Sequence, residues 1–173
     1  MKEFHHLVQG CAVGHPASQK ALYDQFKSMV FSICWRYTGN RSEAEDVFQE
    51  VFIRIFQRID QLKDPAALEG WIRKISVNAC LNAIKERTKL RSESWDESLE
   101  IGKIDDSALH YEDLMNLVQK LPPQYRLVFN LSVIEGYNFE EISDQLGISE
   151  STVRSNLHRA RHWLQEKLGK NGY

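Results

Sequence analysis

Apolar side chains recur along this chain at three- and four-residue steps, and the breaks between those runs divide it into helices. Over residues 20–37, Leu22, Phe26, Met29, Val30, Ile33 and Tyr37 trace one stripe, the mark of an amphipathic helix. Thr38-Gly39-Asn40 stops it, and Ser42 with Glu45 reads as a capping box that opens a second helix over residues 42–59. Asp64-Pro65 is a cap and first-turn pair for a third helix reaching residue 87. After Lys89 the period fails, and residues 90–110 are rich in serine and acid, which reads as a linker.

The pattern resumes beyond residue 110. Leu114, Leu117, Val118 and Leu121 form one stripe, ended by Pro122-Pro123. Tyr125, Leu127, Val128, Leu131 and Ile134 form the next, followed by Gly136. Asn138 with Glu141 caps a short segment holding Phe139, Ile142 and Leu146. Gly147-Ile148-Ser149 makes a tight turn, and Ser149 caps a last helix over residues 150–168. No strand pattern persists. The expectation is an all-α chain of two small helical domains joined by an acidic linker: residues 1–89, 90–110 and 111–173.

Composition narrows the class. The chain has 173 residues, 42% apolar and 27% charged, which suits folded domains and excludes a disordered chain. No apolar run approaches the roughly 18–20 residues of a membrane helix, and the N-terminus lacks a signal-peptide pattern, so no direct membrane insertion is expected. Cys11, Cys34 and Cys80 are odd in number and far apart, which suits a reducing cytoplasm rather than a disulfide framework.

Net charge is only −2, yet the charge is segregated. Residues 71–91 hold Arg73, Lys74, Lys85, Arg87, Lys89 and Arg91 against Glu86 alone, and residues 150–170 hold five bases against two acids. Between them, residues 91–110 hold six acids and two bases. Local patches decide phosphate binding, so two basic patches flanking an acidic stretch point to nucleic acid.

Three faces carry candidate chemistry. A short helix, a turn around Gly147 and a longer basic helix make a helix-turn-helix. On the last helix, at roughly 100° per residue, Val153, Leu157, Ala160 and Leu164 point to the core. Ser151, Ser155, His158, Arg159 and His162 point away, with Arg154 and Arg161 on the flanks. These types donate to base edges and phosphates in a major groove; the plainer alternative is a helical hairpin with a solvated basic face. Ser143 supplies a small side chain where the two helices approach.

On the helix after Asp64, Trp71, Lys74, Asn78, Asn82 and Lys85 share one face, with Ile72, Ile75, Ala79 and Ala83 on another. An aromatic, amides and ammoniums suit unstacked bases beside a backbone, although Trp71 as an ordinary core residue fits the pattern too. On the helix before it, Phe48, Val51, Phe52, Ile55 and Ile59 form the buried side. Opposite stand Asp46, Gln49, Glu50 and Ile53, an apolar residue amid polar ones that suits protein docking. Catalysis finds no support: there is no glycine-rich phosphate loop, nucleophile elbow or metal-ligand spacing, and His158 with His162 lacks a third ligand. No cofactor is expected.

The runs AEDVFQEVFIRIF (residues 44–56), GWIRKISVNA (70–79), LPPQYRLVF (121–129) and FEEISDQLGISESTVRSNLHRAR (139–161) stand in an order that resembles the extracytoplasmic-function branch of bacterial sigma factors. The resemblance spans residues 20–168. It implies a dissociable initiation subunit of RNA polymerase, with a region-two-like domain before the linker and a region-four-like domain after it. Carried across, Asp46, Gln49 and Glu50 would dock on the polymerase's largest subunit. The helix bearing Trp71, with the loop before it, would read the melted minus-ten element, and Asn78 would line the pocket for a flipped base. Arg154, Ser155, His158 and Arg159 would read the duplex minus-thirty-five element. An anti-sigma protein, membrane-linked in many members, is the implied inhibitor. Ser143 departs from the family's usual alanine, Asn156 and His158 occupy positions that vary between members, and the residues before Leu22 match nothing.

The competing reading is a stand-alone helix-turn-helix regulator that binds duplex operators, with residues 1–90 for dimerisation or sensing. It leaves the second basic face and the Asp46–Ile53 surface without a use.

Overall fold

A computed structural model describes residues 4–91 and 111–169. Every regular element among them is helical, and the chain divides into two compact units, Met1–Ser92 and Glu93–Tyr173. Of the expected linker, positions 92–110 lie outside the described residues.

The first unit is built on three helices: α2 (Pro16–Thr38), α3 (Arg41–Arg58) and α4 (Leu68–Arg91). Each packs on the other two. The apolar stripe of α2 is legible in the sequence and lands inside: Leu22, Phe26, Val30, Ile33 and Tyr37 are buried. Val51, Phe52 and Ile55 of α3 and Leu68, Ile72 and Val77 of α4 are buried too, where the three helices pack together. At about 1.5–3 kcal/mol for each large apolar side chain taken from water, this contact supplies most of the unit's stability. Rings interlock across α2 and α3, with Tyr23 and Phe52 centroids 4.8 Å apart and Phe31 and Phe48 5.8 Å apart.

Helix α2 begins four residues earlier than its stripe suggests, because Pro16 stands in its first turn where a missing N–H costs nothing. It ends at Gly39, whose φ of 77° lets the chain turn left-handed and leave. The cap of α3 is Asn40, not Ser42: its Oδ1 accepts from the Glu43 N–H at 2.9 Å. Asp64 caps a short 3-10 turn, Pro65–Ala67, by accepting from the Ala66 N–H at 2.9 Å, and α4 follows. Glu43 and Arg87 form an ion pair between the start of α3 and the far part of α4.

An additional helix, α1 (His5–Ala12), packs on α2 and on the 3-10 turn Ile59–Gln61. Val8 and Cys11 are its buried residues. Gly10 lies so close to α2 that a side chain there would run into Ser18. Cys34 and Cys80 are fully buried. The hydrogen bond its thiol makes to Cys34, and burial, hold Cys80 well above its ordinary value.

The second unit packs four segments: α5 (Tyr111–Gln119), α6 (Pro123–Phe129), α7 (Phe139–Leu146) and the longer α8 (Glu150–Gly169). Residues Asn130–Ile134 extend α6 as a π-helical turn, closed by the Glu135 N–H on the Asn130 carbonyl at 2.9 Å. Leu117, Val118 and Leu121 form one core cluster with Ala160 and Leu164 of α8. The Arg126 Nη1 donates to the Gln119 carbonyl at 2.8 Å, satisfying a backbone oxygen that the end of α5 leaves open. No helix among the described residues is long and apolar enough to cross a membrane.

Candidate nucleic-acid interface

The α7–turn–α8 segment is fixed by local chemistry at both ends. Asn138 and Glu141 complete a reciprocal capping box: each side chain accepts the other's backbone N–H, at 2.9 and 2.8 Å. At the far end Gly147 takes a φ of 68°, and its N–H reaches the Ser143 carbonyl at 2.8 Å. Ser143 does more than leave room for the neighbouring helix. Its hydroxyl donates to the Ile148 carbonyl at 2.6 Å, tying α7 to the turn. Ser149 then caps α8, accepting from the Thr152 N–H at 3.2 Å.

These constraints set the rotation of α8. Val153, Leu157, Ala160 and Leu164 are buried, and Ile142 of α7 is fully buried. Ser151, Arg154, Ser155, His158, Arg159, Arg161 and His162 are all exposed, so one helix face presents hydroxyls, imidazoles and guanidiniums together. Asn156 is different: it is 5% exposed and turned inward, so it stands with the core and not on this face.

Two guanidiniums on that face are held from other elements. The Arg159 Nη1 donates to the Tyr125 hydroxyl of α6 at 3.3 Å. Arg154 lies over the Phe139 ring of α7, 5.3 Å from its centroid, and pairs with Glu150 at 3.4 Å. Sequence reasoning missed both aromatics as partners. Each sits in another helix's apolar pattern, and no spacing links Tyr125 to a residue 34 positions later.

On α4, Lys74, Asn78, Asn82 and Lys85 are exposed on one face. Trp71 is half-buried, so its indole divides between packing and solvent. Ile72 and Ala79 are buried as the periodicity requires, whereas Ile75 and Ala83 are only partly covered and Ser76, Val77, Cys80 and Leu81 complete the inner side. Ser76 is accommodated because its hydroxyl donates to the Ile72 carbonyl at 2.8 Å. Arg73 turns toward α2, with Nη2 3.9 Å from the Met29 Sδ and 4.0 Å from Glu69.

On α3, Asp46 and Gln49 are exposed, and Ile53 is 55% exposed, unusual for an isoleucine on a packed helix. Glu50 is half-buried and hydrogen-bonded to Arg54, so its carboxylate is already engaged on its own helix. Among the described residues no cluster of three or more His, Cys, Asp or Glu could hold a metal ion.

Residues 22–90 match Sigma-70 region 2, and residues 111–164 match Sigma-70, region 4. The chain is 33% identical over 158 residues to ECF RNA polymerase sigma factor SigE of Mycolicibacterium smegmatis, covering 87% of this chain and 61% of that protein. It is 29% identical over 162 residues to ECF RNA polymerase sigma factor SigW of Bacillus subtilis, covering 85% and 87%. Among solved structures it is similar to the sigma factor RpoE of Bartonella quintana, crystallised with the anti-sigma factor NepR. The TM-score is 0.55 at 21% identity, over 87% of this chain and 96% of that one. CnrH, in complex with the cytosolic domain of CnrY, gives a TM-score of 0.52 at 21% identity over 96% and 97%. At those identities the structural likeness speaks to the fold alone.

Proposed function

The chain belongs to the extracytoplasmic-function branch of the sigma-70 family, and from that membership we propose that it takes core RNA polymerase to specific promoters and helps open them. Sigma factors are non-enzymatic initiation factors, so the chemistry to be derived is recognition. Residues 1–89 act as the polymerase-docking and minus-ten unit, residues 90–110 as the tether and residues 111–173 as the minus-thirty-five unit.

The single observation behind this reading is that three different exposed faces stand on one short chain. A duplex-binding regulator uses only the α8 face. The α3 face, with Asp46, Gln49, Glu50 and Ile53, offers polar anchors around an exposed apolar side chain, which suits a protein partner. The α4 face offers Trp71, Lys74, Asn78, Asn82 and Lys85 to a melted strand. Stacking an unpaired base on an aromatic contributes about 1–3 kcal/mol, which offsets part of the cost of opening the duplex. On α8, Arg154, Arg159 and Arg161 with Ser151, Ser155, His158 and His162 enter the major groove, some on base edges and some on phosphates. Polymerase binding anchors the first unit, and the tether then raises the effective concentration of the second contact. By analogy with RpoE, crystallised with the anti-sigma factor NepR, an anti-sigma protein is the expected inhibitor, and the cytoplasm the place of action.

Run-off transcription with core polymerase on fragmented DNA of the source organism tests this. New transcripts sharing upstream elements are expected with the wild type, and none with the double variant Asp46→Arg, Glu50→Arg, which should fold normally but fail to form holoenzyme. Wild-type transcripts that persist in the double variant would overturn the α3 docking face. Duplex binding without any polymerase-dependent transcript would favour the regulator instead.

A further inference from the structure

Arg159 is the α8 guanidinium whose position is tied to another helix by a hydrogen bond. Its Nη1 donates to the Tyr125 hydroxyl at 3.3 Å, and the two residues are 34 positions apart. The Tyr125 ring packs against the cluster of Leu117, Val118, Leu121, Ala160 and Leu164. The tyrosine is therefore held at both ends: the half-buried ring packs against the core that seats α8, and the oxygen meets the guanidinium at the edge of the exposed face.

We infer that Tyr125 is a positioning residue for promoter recognition, holding the Arg159 guanidinium where a base edge in the major groove can meet it. The inference rests on the reading of α8 as the groove helix. A long, flexible arginine loses rotamer freedom when it orders on DNA, and a bond that orders it beforehand removes part of that loss. The geometry permits both contacts, because a guanidinium presents five N–H donors along different edges of one plane and the tyrosine oxygen engages one of them. Arg154 makes a useful contrast, since it is held by the Phe139 ring and by Glu150 and not by a hydroxyl from α6. Tyr125 should thus affect the base pair read by Arg159 and leave the pair read by Arg154 alone.

The experiment measures binding of reconstituted holoenzyme to a promoter fragment recovered by run-off transcription, and to copies in which each upstream-element base pair is changed in turn. Tyr125→Phe keeps the ring in the core and removes one oxygen, and thermal melting of the variant checks that the fold is kept. Tyr125→Phe is expected to weaken binding to the parent fragment by about two- to tenfold, the range of one hydrogen bond. It should also flatten the preference at the same base pair as Arg159→Ala. In the Arg159→Ala background, Tyr125→Phe should add nothing, since a residue that acts only through Arg159 has nothing left to position. An equal loss in both backgrounds would make Tyr125 purely structural and overturn the inference. Unchanged or tighter binding by Tyr125→Phe, with Arg159→Ala still weakened, would overturn it while leaving the groove reading intact. Wild-type binding and preference by Arg159→Ala would overturn the base contact and the positioning role together.

Discussion

The exposed faces of α4 and α8 carry similar residue types and hold them differently. Lys74, Asn78, Asn82 and Lys85 of α4 have no side-chain hydrogen bond or ion pair to another described residue. On α8, Arg159 is bonded to Tyr125, and Arg154 lies on Phe139 beside Glu150. A duplex groove is a stiff partner and favours side chains already in place. A single strand is pliable, so side chains that adjust to it lose less by being unconstrained. The two faces match the two kinds of DNA proposed for them, and the contrast extends to their scaffolds. Helix α4 is 24 residues long and lies on two other long helices, whereas α7 has eight residues and depends on caps and turn bonds.

The sharpest way to break the comparison is to unseat α8. Leu157→Ala removes a 3%-exposed side chain from the core beneath the exposed α8 face. It should cost about 2–5 kcal/mol, read as lost hydrogen-exchange protection across α8. Asn82→Ala, on the unpartnered face of α4, should stay within about 0.5 kcal/mol. Equal effects would mean that α8 does not depend on its core.

A smaller effect separates the two starting caps. Asn138→Ala breaks a box in which both partners are satisfied, whereas Asp64→Ala removes one bond to a 3-10 turn. The first should cost about 1 kcal/mol, at the middle of the range for caps, and the second less. Chemical denaturation of each variant checks the order, and a larger loss at Asp64 would reverse the contrast between the units.

The smallest effect is a pH dependence confined to the first unit, because the chain's three cysteines all lie there. The Cys80 thiol is raised in the folded protein by the bond it donates to Cys34 and by burial, against an ordinary value of 9.0. A raised folded value means the contribution is complete below about pH 9 and is lost as pH climbs beyond it. Hydrogen exchange in α4 should therefore quicken as pH rises beyond about 9 relative to Cys80→Ala, and exchange in α8 should show no such difference. Identical pH profiles for wild type and Cys80→Ala would exclude the thiol as the cause.

Some boundaries were not decided by local pattern. Both N-x-x-E at Asn40 and S-x-x-E at Ser42 satisfy the capping rule. The left-handed Gly39 directs the chain so that Asn40 adopts the extended geometry of a cap, with φ −139° and ψ 154°. Helix α1 escaped because eight residues with two buried side chains make no recognisable period, and packing on α2 and a 3-10 turn holds it in place. Ser143 was legible as a small residue, but its bond to the Ile148 carbonyl requires the turn to exist first.

The sequence by itself determined the helices from α2 onward, the rotation of α8 and the family, because apolar periodicity and motif order are properties of neighbouring residues. Tertiary structure alone decided that Asn156 turns inward, that Arg126 closes the end of α5, that Glu43 meets Arg87 and that Tyr125 meets Arg159. The three pairings join separate helices, and Asn156 is buried by what packs around α8. Such contacts depend on the depth and angle at which helices pack, and the packing of apolar surfaces fixes both before any polar partner is chosen.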